Sequence, residues 1–394
     1  MVATGLLVVW QTGLADSTNL TALAAANNQF AFKLLKQLVA EQPGKNIFVS
    51  PYSAATALQM AANGAAGRTK DEMERVLGTS GMPVSALNEA ESAANSRLQS
   101  GDTNLILATA NALWYRQGAE VKPDFLRLNL KYFQSAINAL DFENAPAAEA
   151  KINRWASDQT HGRITNIASE MIDQDTDLIL ANAIYFKGKW LDPFDAKLTK
   201  ERPFHPAAGS EVQMPMMEMS KHFNHRQGTG YQAVRLPYMG YDLAMYVFLP
   251  DPGSSPMKLL QIMNGDNWRR ITMPGFSDRE GTVVLPKFKL ETTLELNHPL
   301  QTLGMNLAFT RGKADFSNLF ADPHFISEVR QKAFVEVNEE GTEAAAVTAI
   351  RMDAASIELN PPKPFEMIVD RPFLFAIVDA QTELILFMGT VNEL

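Results

Sequence analysis

The chain has 394 residues, 46% of them hydrophobic and 20% charged, with 35 Lys and Arg against 44 Asp and Glu for a net charge of −9 and no Cys. That length and composition can bury a large core, and the acidic balance with scattered basic residues offers nothing that suggests a nucleic-acid or polyanion footprint. Without cysteine there is no disulfide framework, thiolate metal site or Cys nucleophile, though this does not fix a compartment.

The first residues, MVATGLLVVWQTGLADS, hold a short apolar run without the basic start and long apolar centre of an export signal. They read as an N-terminal extension over 1–26, flexible and outside the domain. No apolar stretch approaches the roughly 18 residues of a membrane span, so a soluble protein without membrane partners is expected.

From Asn27 onward Phe30, Leu34, Leu35 and Leu38 recur at helical spacing, with Asn27 or Asn28 placed to cap. Ser50-Pro51 opens a second helix running towards Gly64. Thr69 and Glu72 have capping-box spacing for a third, which Gly78 would stop. Strand signals follow. Segments 105–115 (LILATANALWY) and 178–186 (LILANAIYF) resemble each other and read as central strands buried on both faces. Further strands are expected over 233–236, 243–249, 282–290, 332–337, 373–378 and 385–391, with a turn at 250–256. Helices and strands intermingle without regular βαβ alternation, and no low-complexity linker divides them. The expectation is one α+β domain over 27–394 with more than one sheet.

Signals for catalysis are absent. There is no G-x-S-x-G, P-loop or complete G-x-G-x-x-G, and Gly228-Thr229-Gly230 reads as a turn. His222 and His225 have a spacing that suits a metal, but no third ligand is apparent, and a solvated strand end or loop is the better reading. His161, His205, His298 and His324 have no Ser or Asp partners nearby in sequence. Met214, Met216, Met217 and Met219 read as a packing segment. Neither an enzyme nor a bound metal or cofactor is expected.

Residues 335–352, VEVNEEGTEAAAVTAIRM, carry the distinctive pattern. Lys332 to Val337 alternates as a strand, Glu339-Glu340-Gly341 interrupts it, and alternation resumes. Thr342, Ala344, Ala346, Thr348, Ile350 and Met352 carry no charge. Every charge lies among Glu343, Ala345, Val347, Ala349, Arg351 and Asp353. A half-buried strand needs this period of two. An Ala-rich helix competes on composition, against the β-branched Val347, Thr348 and Ile350. Gly341 supplies a free pivot, and Pro361, Pro362 and Pro364 bar both helix and sheet interior. A would-be strand hung between a pivot and a proline tether is a loop with a second available state.

The hinge VNEEGTEAAAVTAI resembles the serpin signature. It is accompanied by NIFVSPYSAATALQMAANGAAGRTKDEM, LILANAIYFKGKW with Pro193-Phe194, LPKFKLE, DRPFLF and LFMGTV, in that family's order from about residue 27 onward. The resemblance implies a serpin fold of three β-sheets and eight or nine helices, with an exposed reactive-centre loop over about 339–364. It implies a monomeric inhibitor of serine-type proteases, a suicide substrate whose cleaved loop inserts into the central sheet and carries the acylated protease along. Insertion of ~14 residues at ~3.3 Å each moves the tether by about 45 Å. A non-inhibitory chaperone or carrier is the alternative. The resemblance also points to a prokaryotic member and favours an extracellular or periplasmic site.

By motif, Ser53 and Asn182 fall where serpins keep a polar cluster under the opening strands, and Trp190 falls where insertion begins. Gln331 departs from the family's usual His. The hinge comprises Glu339, Glu340, Gly341, Thr342, Glu343, Ala344, Ala345 and Ala346, and its small residues match inhibitory members. Counting the family's seventeen residues from Glu339 puts the scissile bond at Ala355-Ser356, suited to an elastase- or subtilisin-like protease. Arg351-Met352 is the rival bond, for a trypsin-like enzyme, and a cysteine protease is a cross-class target.

Overall fold

The computed structural model describes residues 3–99, 105–240, 242–273, 275–342 and 363–394. Helix α1 spans Ala3–Glu41 and β1 Ile47–Val49. Helix α2, Pro51–Ala62, starts as its sequence predicts. Ser50 accepts a hydrogen bond from the Ser53 N–H, Pro51 occupies the first turn, and all twelve residues are buried. Helix α3, Gly67–Leu77, ends on Gly78 at φ 74°, where the Thr79 N–H reaches the Glu74 carbonyl. Helices α4 (Val84–Leu98), α5 (Pro123–Tyr132) and α6 (Ala145–Gln159) alternate with β2 (Leu105–Arg116) and β3 (Ala136–Leu140) before β4 (Leu178–Lys189). Strands β5 (Lys200–Phe204), β6 (Val212–Gly228), β7 (Tyr231–Pro237) and β8 (Leu243–Pro250) follow, then α7 (Pro256–Ile262) and α8 (Gly265–Thr272). The remainder comprises β9 (Ser277–Pro286), β10 (Phe288–Glu295), α9 (Asn297–Thr302), β11 (Ile326–Asn338), β12 (Gly341–Thr342), β13 (Phe365–Ile368), β14 (Phe373–Asp379) and β15 (Ile385–Val391).

The described residues thus form an α+β fold with nine α-helices. A six-stranded sheet has the order β10-β11-β12-β4-β2-β3, and a nine-stranded network runs β1-β15-β14-β8-β7-β6-β9-β13, with β5 beside β6. Hydrogen bonds therefore trace two networks where three sheets were expected. The physical link is β6: its first residues pair with β5, its last with β7, and Met216 to His225 with β9. The similar segments in β2 and β4 are neighbours, antiparallel, with Asn111 directly opposite Asn182.

Several expectations change. Asn27 and Asn28 do not cap α1; both are buried within it, and Leu23 is also fully buried, so packed structure starts before residue 27. Asn28 instead accepts from the Ile385 N–H at 2.9 Å and donates to the Glu383 carbonyl at 2.8 Å, tying the helix to β15. Thr69 and Glu72 make no capping box. The Thr69 hydroxyl receives the Asp315 N–H, and Glu72 receives the N–H groups of Asn306 and Leu307, so both side chains serve another segment. The strand expected over 282–290 is two strands in different sheets, broken at Lys287, whose N–H bonds the Pro215 carbonyl. Helices α4, α5 and α6 lie where strand patterning seemed to take over.

Candidate functional site: the strand gap in the central sheet

Strands β4 and β11 are parallel and paired directly from Leu178 and Ile326 up to Tyr185 and Phe334. Above that point they part, and β12 occupies the gap, antiparallel to both. Thr342 faces Val337 on one side and Gly188 on the other, and Gly341 faces Asn338 and Lys189. Two residues of the predicted hinge are therefore already a strand of the sheet.

The residue types explain why the wedge fits. Gly341 has φ 151°, and a Cβ there would lie 2.1 Å from the Gly188 carbonyl oxygen, so only glycine passes. Gly188 has no side chain either; a Cβ would meet Tyr238 at 2.8 Å. Thr342 is fully buried and shares a 2.8 Å hydrogen bond with the Tyr238 hydroxyl. Burial raises the Tyr238 phenol far above its usual range despite that bond, so it stays protonated. Trp190 stacks on Tyr238, 4.7 Å between centroids, and its indole donates to the Asn338 carbonyl at 3.0 Å. The N–H groups of Trp190 and Phe194 hold the Glu340 and Glu339 carbonyls. Burial tends to raise the Glu339 carboxyl, but hydrogen bonds from Lys287, its own backbone and Thr199 outweigh this and hold it below the usual range. Lys287 Nζ lies 2.9 Å away.

A polar hub lies deeper between the paired strands. The Gln331 amide donates to the Ser50 carbonyl (2.9 Å) and to Asn182 Oδ1 (2.5 Å), and its Oε1 accepts the Ser50 N–H (2.7 Å). Asn182 Nδ2 reaches the Ser53 hydroxyl, and also Asn111 Oδ1 at 2.6 Å. All four of Ser50, Ser53, Asn182 and Gln331 are buried. The structure thus joins Ser53, Asn182 and Gln331 in one hub, with Trp190 apart at the gap's mouth. Missed in the sequence were Ser50, Asn111 and Tyr238. The duplicated Asn-Ala motif of β2 and β4 was the visible trace of the Asn111–Asn182 pair. Glu343, Ala344, Ala345, Ala346 and both bonds considered for cleavage, Ala355-Ser356 and Arg351-Met352, lie outside the described residues.

The histidines assemble no second centre. His222 and His225 project from opposite faces of β6. His222 faces exposed Asp278, while His225 is buried and stacks on Phe365 at 3.8 Å, so the solvated reading fails for His225. Burial lowers its basicity. His205, His298 and His324 pair with Glu211, Glu41 and Asp177. Met216 and Met217 are buried, as packing residues should be. Among the described residues no group of three His, Asp or Glu side chains is placed to hold a metal, and no helix is long and apolar enough to cross a membrane.

The geometry is that of a mixed sheet with a strand gap, a glycine-pivoted strand entering it and a buried polar hub beneath. The family model described as serpin (serine protease inhibitor) matches residues 25–394. The chain is 36% identical over 384 residues to a serpin-like protein of Methanosarcina mazei, covering 96% of this chain and 89% of the relative. It is 32% identical to human plasminogen activator inhibitor 2, covering 94% and 99%. Human thyroxine-binding globulin has the same fold, with a TM-score of 0.86 at 27% identity over 95% of this chain and 99% of that one. The chain belongs to the serpin family, whose members include many inhibitors of serine proteases.

Proposed function

We propose that this serpin is an inhibitor of serine-type proteases that acts as a suicide substrate, offering residues 343–362 as the cleavable loop. The observation that carries this reading is the register of β12. Thr342 stands opposite Val337 and Gly188. Continued antiparallel in that register, Ala344 falls between Val335 and Phe186, Ala346 between Ala333 and Ile184, and Thr348 between Gln331 and Asn182. Ile350 then falls between Val329 and Leu180. These flanking residues are buried, so the uncharged face of the loop meets the core, and its one polar member below the wedge meets the polar hub. Arg351, on the other face, falls beside Glu328.

Insertion replaces one parallel ladder with two antiparallel ones. With about ten additional bonds at ~1 kcal/mol net each, the gain is comparable to the stability of a domain. The uncleaved fold is then a kinetic trap. Met352 falls opposite Leu178, the first residue of β4, so cleavage after Ala355 lets a tethered protease clear the end of the sheet. Cleavage after Arg351 ends the strand four residues, about 13 Å, earlier and releases the enzyme. An elastase- or subtilisin-like protease is the proposed target. Incubation with pancreatic elastase, subtilisin and trypsin is expected to give denaturant-resistant complexes with the first two and a released fragment starting at Ser356. No stable complex with any of them, or a fragment starting at Met352 from a stable complex, would overturn the assignment. The fold shared with thyroxine-binding globulin supports a carrier reading as the alternative, under which cleavage traps no protease.

A further inference from the structure

Between α2, α4, α5, α6 and β2 lies a cavity of ≈ 360 Å³ whose lining shares Asn111 with the polar hub but includes none of the residues that would flank an inserted strand. Its floor is polar and deeply buried: Glu91 is 2% exposed, Tyr52 2% and Thr56 8%. Glu91 Oε2 accepts one neutral hydrogen bond, from the Thr56 hydroxyl at 3.2 Å. No Lys, Arg or His is among the described residues lining the cavity. The Tyr52 hydroxyl is buried without a hydrogen-bond partner among the described residues. Trp155 forms a partly buried aromatic wall, edge-on to Trp114 at 5.9 Å. At the rim, Gln99, Gln134 and Gln159 are exposed and leave a way in.

A carboxylate this far from water requires a proton or a cation. Burial accordingly raises Glu91 to about 7, with the Thr56 bond opposing the shift. The other titratable groups lining the cavity are Tyr52 on α2 and Tyr132 on α5. Burial and then the Glu91 charge raise the Tyr52 phenol, so it stays neutral. A ligand with a cationic head supplies what the protein omits: a charge for Glu91 and an N–H for the idle Tyr52 oxygen.

We propose that this cavity binds a small molecule bearing one ammonium or guanidinium head, which pairs with the Glu91 carboxylate and Tyr52 hydroxyl while its stem lies against Trp155. The site stands apart from protease inhibition and is tested without it. Isothermal titration of the full chain with n-butylguanidine, against its neutral isostere n-butylurea, reads the site directly. Since Glu91 must ionise, affinity for the guanidine should rise about tenfold between pH 6 and pH 8. Glu91→Gln should lower affinity at pH 8 at least tenfold and flatten the pH dependence. Titration of the unaltered chain at pH 7 in buffers of differing ionisation enthalpy should show about half a proton released, whether or not the variant folds. Equal binding of guanidine and urea, pH-independent binding, undiminished binding to Glu91→Gln, or no proton release would each overturn the proposal.

Discussion

Gln331 holds both backbone groups of Ser50 and the side-chain oxygen of Asn182 at once. A neutral imidazole has one donor and one acceptor, so the His common in the family cannot serve all three partners. Gln331→Ala strands the Ser50 N–H and Asn182 Oδ1 in the core, while the Ser50 carbonyl keeps the Ala54 N–H, and should cost about 3 kcal/mol, read by urea unfolding of the uncleaved protein. Glu91 makes an opposite kind of prediction. Its carboxyl titrates at about 7 in the fold against 4.5 as an ordinary side chain. The folded state therefore holds the extra proton between those values, and stability falls as pH rises through that window, by about 3 kcal/mol in all. Subtracting the pH profile of Glu91→Gln from that of the unaltered chain isolates the slope. A flat difference between pH 4.5 and 7 would contradict it.

Among the elements, β12 is the shortest and the most consequential. Its residues tolerate little: Gly341 has no room for a methyl, and Thr342 has no exposed surface. Thr342→Arg places a charge where only Tyr238 waits, at a cost of several kcal/mol, and expels the strand. The expected outcome is a chain still cleaved by the protease but trapping little of it, with at least ten molecules consumed per enzyme inhibited. Gly341→Ala should shift the same ratio in the same direction. The alternation around Gly341 made this element legible in the sequence, as did the apolar runs of β2 and β4 and the Ser50-Pro51 start of α2. Other elements were illegible for local reasons. Helix α4, rich in Ala, Ser and Asn, has no strong apolar stripe, and it is fixed by packing against α1 and α5. The break at Lys287 lies inside an unbroken strand pattern, because only the tertiary path sends Phe288 to the other sheet. Most of the hub was legible: Ser53, Asn182 and Gln331 came through resemblance, while Ser50 looked like a helix cap and nothing more.

At the scale of the molecule, the proposed insertion of another strand predicts a large difference between two forms of one chain. Cleavage within 343–362 by a protease that escapes should raise the thermal midpoint by tens of degrees, since the ladder gain rivals the whole stability of a domain. Calorimetry before and after limited proteolysis checks this, and an unchanged midpoint would mean that the loop does not insert. The pairing of β1 with β15, with Asn28 of α1 holding the Ile385 N–H, has a bearing on how the molecule is made. Both ends of the fold are stitched together across more than 300 residues, and α2 lies buried beneath strands that include β15. The early helices can pack on one another and on β2 and β4, but their contacts with β15 can form only after that strand has left the ribosome. A nascent chain stalled before Ile385 should therefore be more protease-sensitive around β1 and α1 than the finished chain, as limited proteolysis of the stalled complex would show.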